Sequence, residues 1–267
     1  MVVLPPGTLL QLMYLRERIR QVPPGRFIEI GPGSGEITRL LLDHGWSGCS
    51  YDLEAKTIAT LRNRFAKEIA EQRFTPINDD FLSPPPHEKV DLVISCMVME
   101  HLEDDAQNAF MKMSADYLKK GGVMIGLVPS SLAHWGIEDD IAGHCRRYTS
   151  NSIETLVSVN DWKLLHIAGL TFPLSNLLLP VSNFLVNRSE RSKLDLSPLD
   201  RTKQSGRRQV KFKTYFPAIL GLLLNEFTLF PMYILQKLFV KSQRALVLYF
   251  EAQPNPAPES VQNDRHC

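Results

Sequence analysis

The chain is poor in several things that would mark other classes of protein. Its cysteines number four (Cys49, Cys96, Cys145 and Cys267), set far apart with no C-x-x-C pair. That spacing excludes a disulfide frame or a cysteine zinc site and reads as reduced thiols in an intracellular protein. A surplus of one charge is also lacking. The formal net charge is +1, so a nucleic acid would find no bulk attraction. The opening Met-Val-Val-Leu-Pro-Pro-Gly has no basic run leading into an apolar one, and the final Arg-His-Cys lacks the cysteine four from the end that prenylation needs. No internal repeat is visible. No apolar run reaches the roughly 20 residues of a membrane span. The expected location is the cytoplasm, or the inner face of its membrane.

What the chain does have is core-forming material, 44% of 267 residues being hydrophobic. One stretch organises it: Phe27-Ile28-Glu29-Ile30-Gly31-Pro32-Gly33-Ser34-Gly35-Glu36. Apolar residues around one acid give a short buried strand. Alternate glycines give a tight turn, and Ile37, Leu40, Leu41 and Leu42 give a helical pattern. Glycine tolerates positive φ and has no Cβ to hold a ligand off the backbone. A dinucleotide fingerprint would need glycine at 36, where Glu36 stands, which disfavours a nicotinamide dehydrogenase.

After an amphipathic helix over 7–20, strands are predicted at 27–30, 48–52, 74–77, 90–95, 123–128 and 162–168, and a last one at 244–251. Helices are predicted at 34–44, 54–72, 105–119 (capped by Gly121-Gly122) and 151–159. Strands rich in Val, Ile and Leu alternating with helices predict a parallel sheet covered on both faces, with ligands at the carboxyl ends of the strands. Glu29–Gly35, Asp52, Asp80 and Ser95 all fall at such ends.

The E-x-G-x-G-x-G turn of Glu29, Gly31, Gly33 and Gly35 resembles the first motif of class I methyltransferases, which use S-adenosylmethionine (SAM). Val90-Asp-Leu-Val-Ile-Ser95, followed by Met99-Glu-His-Leu102, is similar to the fourth motif of small-molecule methyltransferases, ubiquinone-pathway O-methyltransferases included. Gly143-His144-Cys145-Arg146-Arg147-Tyr148 looks like a G-H-x-R-R-Y segment of many bacterial methyltransferases. The resemblance implies a Rossmann-like α/β fold with a seven-stranded class I methyltransferase sheet, helices on both faces, and here a helical insertion between the last two strands. Asp52, 17 residues past Gly35, is then placed to accept the ribose hydroxyls. Asp80 with Phe81 would grip the adenine. His101 and His144 are the candidate bases for a hydroxyl acceptor, and Arg146, Arg147 and Tyr148 are candidate substrate contacts for an anionic group. Ubiquinone-type enzymes that bind a divalent metal carry a glutamate where Met97 stands, so no metal is expected. No N/D-P-P-Y/F follows the fourth strand, which argues against a nucleic-acid substrate. The expected reaction is methyl transfer to a small or lipophilic molecule, at oxygen first. An amine acceptor, or a SAM-binding scaffold without catalysis, stands as the alternative.

The sequence divides into a SAM-binding core (1–170 plus 244–252), an insertion (171–243) and a disordered tail (253–267). In the insertion, 171–186 is apolar and uncharged. Residues 187–213 carry nine Lys and Arg against three acids. Residues 215–240 are apolar but for a narrow polar stripe of Gly221, Asn225, Thr228 and Gln236. A lid over the pocket, a patch on an anionic membrane and a homodimer interface are the three readings of it.

Overall fold

The computed structural model describes residues 3–83, 88–191, 210–214 and 216–256. Seven strands form one sheet: β1 (Arg26–Ile30), β2 (Ser47–Tyr51), β3 (Phe74–Ile77), β4 (Val90–Cys96), β5 (Leu118–Pro129), β6 (Trp162–Leu170) and β7 (Val247–Pro254). Their order is β3-β2-β1-β4-β5-β7-β6. Neighbours from β3 to β5 run parallel, and β7 lies antiparallel to both β5 and β6. The order reverses between β1 and β4, so their carboxyl ends open a crevice there.

Alternate side chains explain both the sheet and its cover. Phe27, Leu92, Ile94, Ile125, Leu127 and Tyr249 point to one face, where α1 (Pro6–Ile19), α2 (Glu36–Asp43) and α3 (Ala55–Arg64) pack. Ile28, Ile30, Val93, Met124, Val128 and Phe250 point to the other, against α5 (Asp104–Tyr117) and α7 (Ser150–Val159). Parallel strands buried on both faces need such unbroken apolar runs.

Three expectations are corrected in detail. The helix predicted over 54–72 breaks at Phe65, and a short α4 (Ala66–Ala70) follows. The Phe65 ring is fully buried against Phe74, with the Arg39 guanidinium over it. Gly121-Gly122 does not cap α5, which ends at Tyr117; Leu118 already pairs with Val90, and the register slips before Leu92 pairs with Val123. The last strand begins at Val247 and takes in Gln253 and Pro254, both expected in the tail. Residues 257–267 of that tail, and 192–209 of the basic stretch, lie outside the described residues.

Between β6 and β7 stand α8 (Leu174–Glu190) and α9 (Glu226–Leu238). Asn225 caps α9 by accepting the Thr228 N–H at 3.1 Å. This helix is strapped to α1. Arg16 meets Glu226, Lys237 reaches Glu17 at 2.7 Å, and the Tyr233 hydroxyl donates to Glu17. Gln236, fully buried, accepts the Thr171 N–H at 2.6 Å and donates to the Leu10 carbonyl at 3.4 Å. Of the polar stripe read from the sequence, Gln236 therefore faces inward. α8 packs against α1 and against α6 (Ile137–Ala142).

Candidate active site

The turn after β1 has three glycines with left-handed backbone: Gly31 at φ 68°, Gly33 at 52° and Gly35 at 82°. Two of them also have no room for a side chain. A Cβ on Gly31 would sit 2.5 Å from Val98 Cγ2, and one on Gly35 would sit 2.6 Å from the Phe65 ring. The turn therefore brings bare backbone up to Gly35, the residue that caps α2, and a helix N-terminus offers free N–H groups to a ligand.

Glu29 does not reach that crevice. Its carboxylate is buried toward α2, where it accepts the Thr38 hydroxyl and, at 3.1 Å, the Ser50 hydroxyl. Burial pushes its carboxyl up to about 7 against those two hydrogen bonds. It braces the turn from beneath. Asp52 stands half-buried just past β2, one oxygen accepting the Glu54 N–H at 2.8 Å, and Asn78 donates to its carbonyl at 2.9 Å. Leu53 beside it is 56% exposed, an apolar side chain at the crevice that sequence patterning did not single out. Past β3, Asp79 and Asp80 are exposed, and Asp80 accepts the Leu82 N–H at 2.9 Å.

Phe81 corrects the expectation for that pair. Its ring is buried, stacked on Tyr117 at 5.0 Å and tilted against Phe110 at 5.2 Å. It belongs to the core beneath the sheet, so Asp80 stands exposed past β3 without an aromatic ring beside it. Ser95, at the end of β4, is buried and its hydroxyl has no hydrogen-bond partner.

A second cluster lies beyond β4 and β5. Met97 takes a φ of 55°, and a 3₁₀ turn, Met99–His101, follows. The polar segment after β5 folds back onto this turn: the Cys145 N–H donates to the Glu100 carbonyl at 2.8 Å, and His101 Nδ1 sits 3.3 Å from the Gly143 carbonyl. The two candidate bases are thereby brought together, the His101 and His144 rings lying edge to face at 4.8 Å. His144 Nδ1 is 2.8 Å from Asp139 Oδ1, and its Nε2 is 3.7 Å from Glu100 Oε1.

Asp139, which sequence reasoning left unassigned, is the hub. Fully buried at the third position of α6, it also accepts the Arg147 Nε–H at 2.8 Å and the Gly136 N–H at 2.8 Å. Burial raises its carboxyl, but the hydrogen bonds from His144 and Arg147 outweigh it and hold the group at about 2. Glu100 is the opposite case. It is fully buried with no hydrogen bond to either oxygen, and burial pushes it up to about 8. The sequence signal for Asp139 was its place five residues before His144 in a loop too polar to be idle.

The expected substrate contacts are already engaged. Arg147 also donates to the Ser130 carbonyl at 2.9 Å. Tyr148 is buried, donates to the Met99 carbonyl at 3.0 Å and receives Gln107. Arg146 holds Asp104 at 2.7 Å and Gln107 at 3.3 Å. These three side chains pin the loop in place rather than reaching into the crevice. Among the described residues, Glu100, His101 and His144 could bring one ligand atom each within 4.8 Å of one another, the spacing of a metal group. With Glu100 holding its proton and Asp139 taking the other nitrogen of His144, the cluster is better suited to moving protons. A hollow at the opposite, amino ends of the strands has its carboxylates tied up, Asp91 by Lys119 and Glu251 by Arg18.

The sheet order, the left-handed glycine turn and the acids after β2 and β3 together match the class I methyltransferase fold. The chain belongs to the family described as "Methyltransferase domain" (Methyltransf_23), whose model matches residues 9–167. A sequence relative, an uncharacterized methyltransferase of Bacillus thuringiensis, is 30% identical over 101 residues, 38% of this chain and 45% of the relative. The chain thus spans about half the length of the curated relatives it matches. Among solved structures, the glycopeptide N-methyltransferase MtfA with SAM overlays with a TM-score of 0.54 at 12% identity, over 92% of this chain and 87% of that one. The magnesium protoporphyrin IX methyltransferase ChlM from Synechocystis PCC 6803, with bound S-adenosylhomocysteine, gives 0.52 at 14% identity, over 62% and 77%. SAM fits the crevice chemically. A turn stripped of Cβ atoms suits close approach to a backbone, and carboxylates past β2 and β3 suit the hydroxyls and exocyclic amine of an adenosyl group.

Proposed function

We propose that the protein transfers the methyl group of SAM to a hydroxyl oxygen of a small, lipophilic molecule, with His144 as the base. The observation that carries this is the Asp139–His144 contact of 2.8 Å at the carboxyl end of the sheet. Bound, the cofactor supplies a sulfonium methyl group, which is attacked in line. The protein's own part is to hold the acceptor in place and take its proton. An ionised Asp139 fixes the Nδ1–H tautomer of His144 and leaves Nε2 to receive the hydroxyl proton. Asp139 then stabilises the imidazolium that forms. Glu100, neutral below about pH 8, sits beside Nε2 without adding a competing charge. Asp52, with Asp80, would hold the adenosyl group, and the glycine turn would carry its amino-acid end.

An amine acceptor is the second reading, favoured by the name of the neighbour that overlays on 92% of the chain, an N-methyltransferase. The test is transfer from labelled SAM into a lysate, with label counted in lipid extract, soluble metabolites, nucleic acid and protein. Label in the lipid extract or the soluble pool is the expected result, and the carbon shift of the transferred methyl separates O–CH3 from N–CH3. Bound SAM with no label in any fraction would make the protein a non-catalytic SAM binder.

A further inference from the structure

Among the described residues, thirteen of the nineteen large apolar side chains that stand exposed belong to the insertion. They are ordered. On α9, Phe227, Phe230, Ile234 and Leu238 recur at three- and four-residue steps and form one stripe, 90%, 53%, 43% and 75% exposed. The opposite side of the same helix, Leu229, Tyr233 and Gln236, is the side buried on α1. On α8, Leu177, Val181 and Phe184 form a second exposed stripe, while Val186 and Glu190 are buried. Phe172, just before α8, packs edge to face on Phe239 at the end of α9, at 5.4 Å. The folded chain has nothing against these stripes among the described residues.

Charge says what covers them. The stretch that joins the two helices carries nine basic residues against three acids, in a chain whose net charge is only +1. Of its described members, Arg188 and Lys211 are exposed. A second copy of the chain would bring an identical basic stretch to the same interface, and like charges would oppose it. An anionic bilayer offers hydrocarbon for the stripes and phosphates for the lysines and arginines. No described helix is long and apolar enough to cross a membrane, which fits helices that lie on one.

We propose that the outer faces of α8 and α9, with the exposed Arg188, Arg191 and Lys211, dock the protein on an anionic phospholipid surface. The docked layer also touches the site. α8 packs on α6, which carries Asp139, and Asn176 of α8 reaches His134 at 3.3 Å. A lipid-borne acceptor would pass from the bilayer to His144 without crossing water. That last step rests on the methyltransferase reading, but the docking does not.

The experiment is co-sedimentation of the full chain with vesicles of phosphatidylcholine alone, and of phosphatidylcholine and phosphatidylglycerol in equal parts. The expected result is binding to the anionic vesicles at least about tenfold tighter than to the neutral ones, weakening as salt is added. The double variant Phe227→Ser, Leu238→Ser should lose at least about tenfold in binding, since both side chains insert. Because both are exposed, it should keep the thermal shift that SAM produces. Wild-type protein left in the supernatant with both vesicles overturns the proposal. So does a double variant that binds like wild type, or a wild-type dimer that these substitutions split while vesicle binding is absent. Lack of a SAM shift in wild type would sink the enzymatic reading and leave the docking result standing.

Discussion

The two acids beside His144, Asp139 at 2.8 Å and Glu100 at 3.7 Å, have opposite fates, and pH separates them, with buried Glu29 behaving like Glu100. Glu29 and Glu100 hold their protons in the fold up to about 7 and about 8, against 4.5 for an ordinary glutamate. Between those values the folded chain binds more protons than the unfolded one. Their stabilisation is complete below pH 4.5, shrinks as pH rises and is gone above about 8. Asp139, held at about 2 against 3.8, contributes above pH 3.8 and loses its contribution as pH falls through 2. Melting temperatures of wild type and Glu100→Gln across pH 4.5 to 8 test this. The wild-type decline should be the steeper, and equal slopes would mean that Glu100 titrates like a surface acid. At the same scale, His144→Gln should lower kcat by about 10²- to 10⁴-fold with SAM affinity unchanged. His101→Gln should cost less, since the Asp139 carboxylate is held on His144, while His101 Nδ1 lies 3.3 Å from the Gly143 carbonyl. Turnover with the acceptor found in the lysate, beside SAM calorimetry, would measure both.

Among the elements, α9 depends on one polar side chain. Gln236→Leu keeps the volume and removes the acceptor of the buried Thr171 N–H, so it should cost about 1–3 kcal/mol in chemical denaturation. An unchanged midpoint would mean that the strap to α1 rests on its ion pairs alone. The sheet itself was legible in the sequence because its strands are short apolar runs bounded by Gly, Pro and Asp. Phe74–Ile77 stands where it was expected. What was not legible is what a side chain touches across the fold. Phe81 beside Asp80 looks like an adenine-gripping pair in one dimension, but the turn past β3 sends its ring onto Tyr117 and Phe110. Arg146, Arg147 and Tyr148 look like an anion site until Asp104, Asp139 and Met99 are brought to them from other segments. The convergence of His101 with His144 across 42 intervening residues is likewise tertiary, though both residues could be chosen from the sequence.

At the scale of the whole molecule, cofactor binding and fold are linked. SAM at a hundredfold excess over its Kd should stabilise the chain by about 2.7 kcal/mol, because the crevice exists only when β1, β2 and β3 are aligned. Asp52→Ala should lose most of that shift, since its half-buried carboxylate stands just past β2, where it takes the Glu54 N–H of its own loop. A thermal melt with and without SAM reads both numbers, and a full shift in Asp52→Ala would remove that carboxylate from the site.

The placement of β7 has a kinetic consequence. The strand inserts between β5 and β6, yet it is made only after α8 and α9, from Val247 onward. Until it arrives, the backbone edges of β5 and β6 that it will cover have no partner, and apolar α8 and α9 have already been synthesised. Closing the sheet is therefore a late, long-range event, the kind that slows folding and leaves open edges prone to pair with other chains. The nascent chain passes through its most adhesive state just before β7 joins, with the exposed apolar stripes of α8 and α9 already made and its sheet still split.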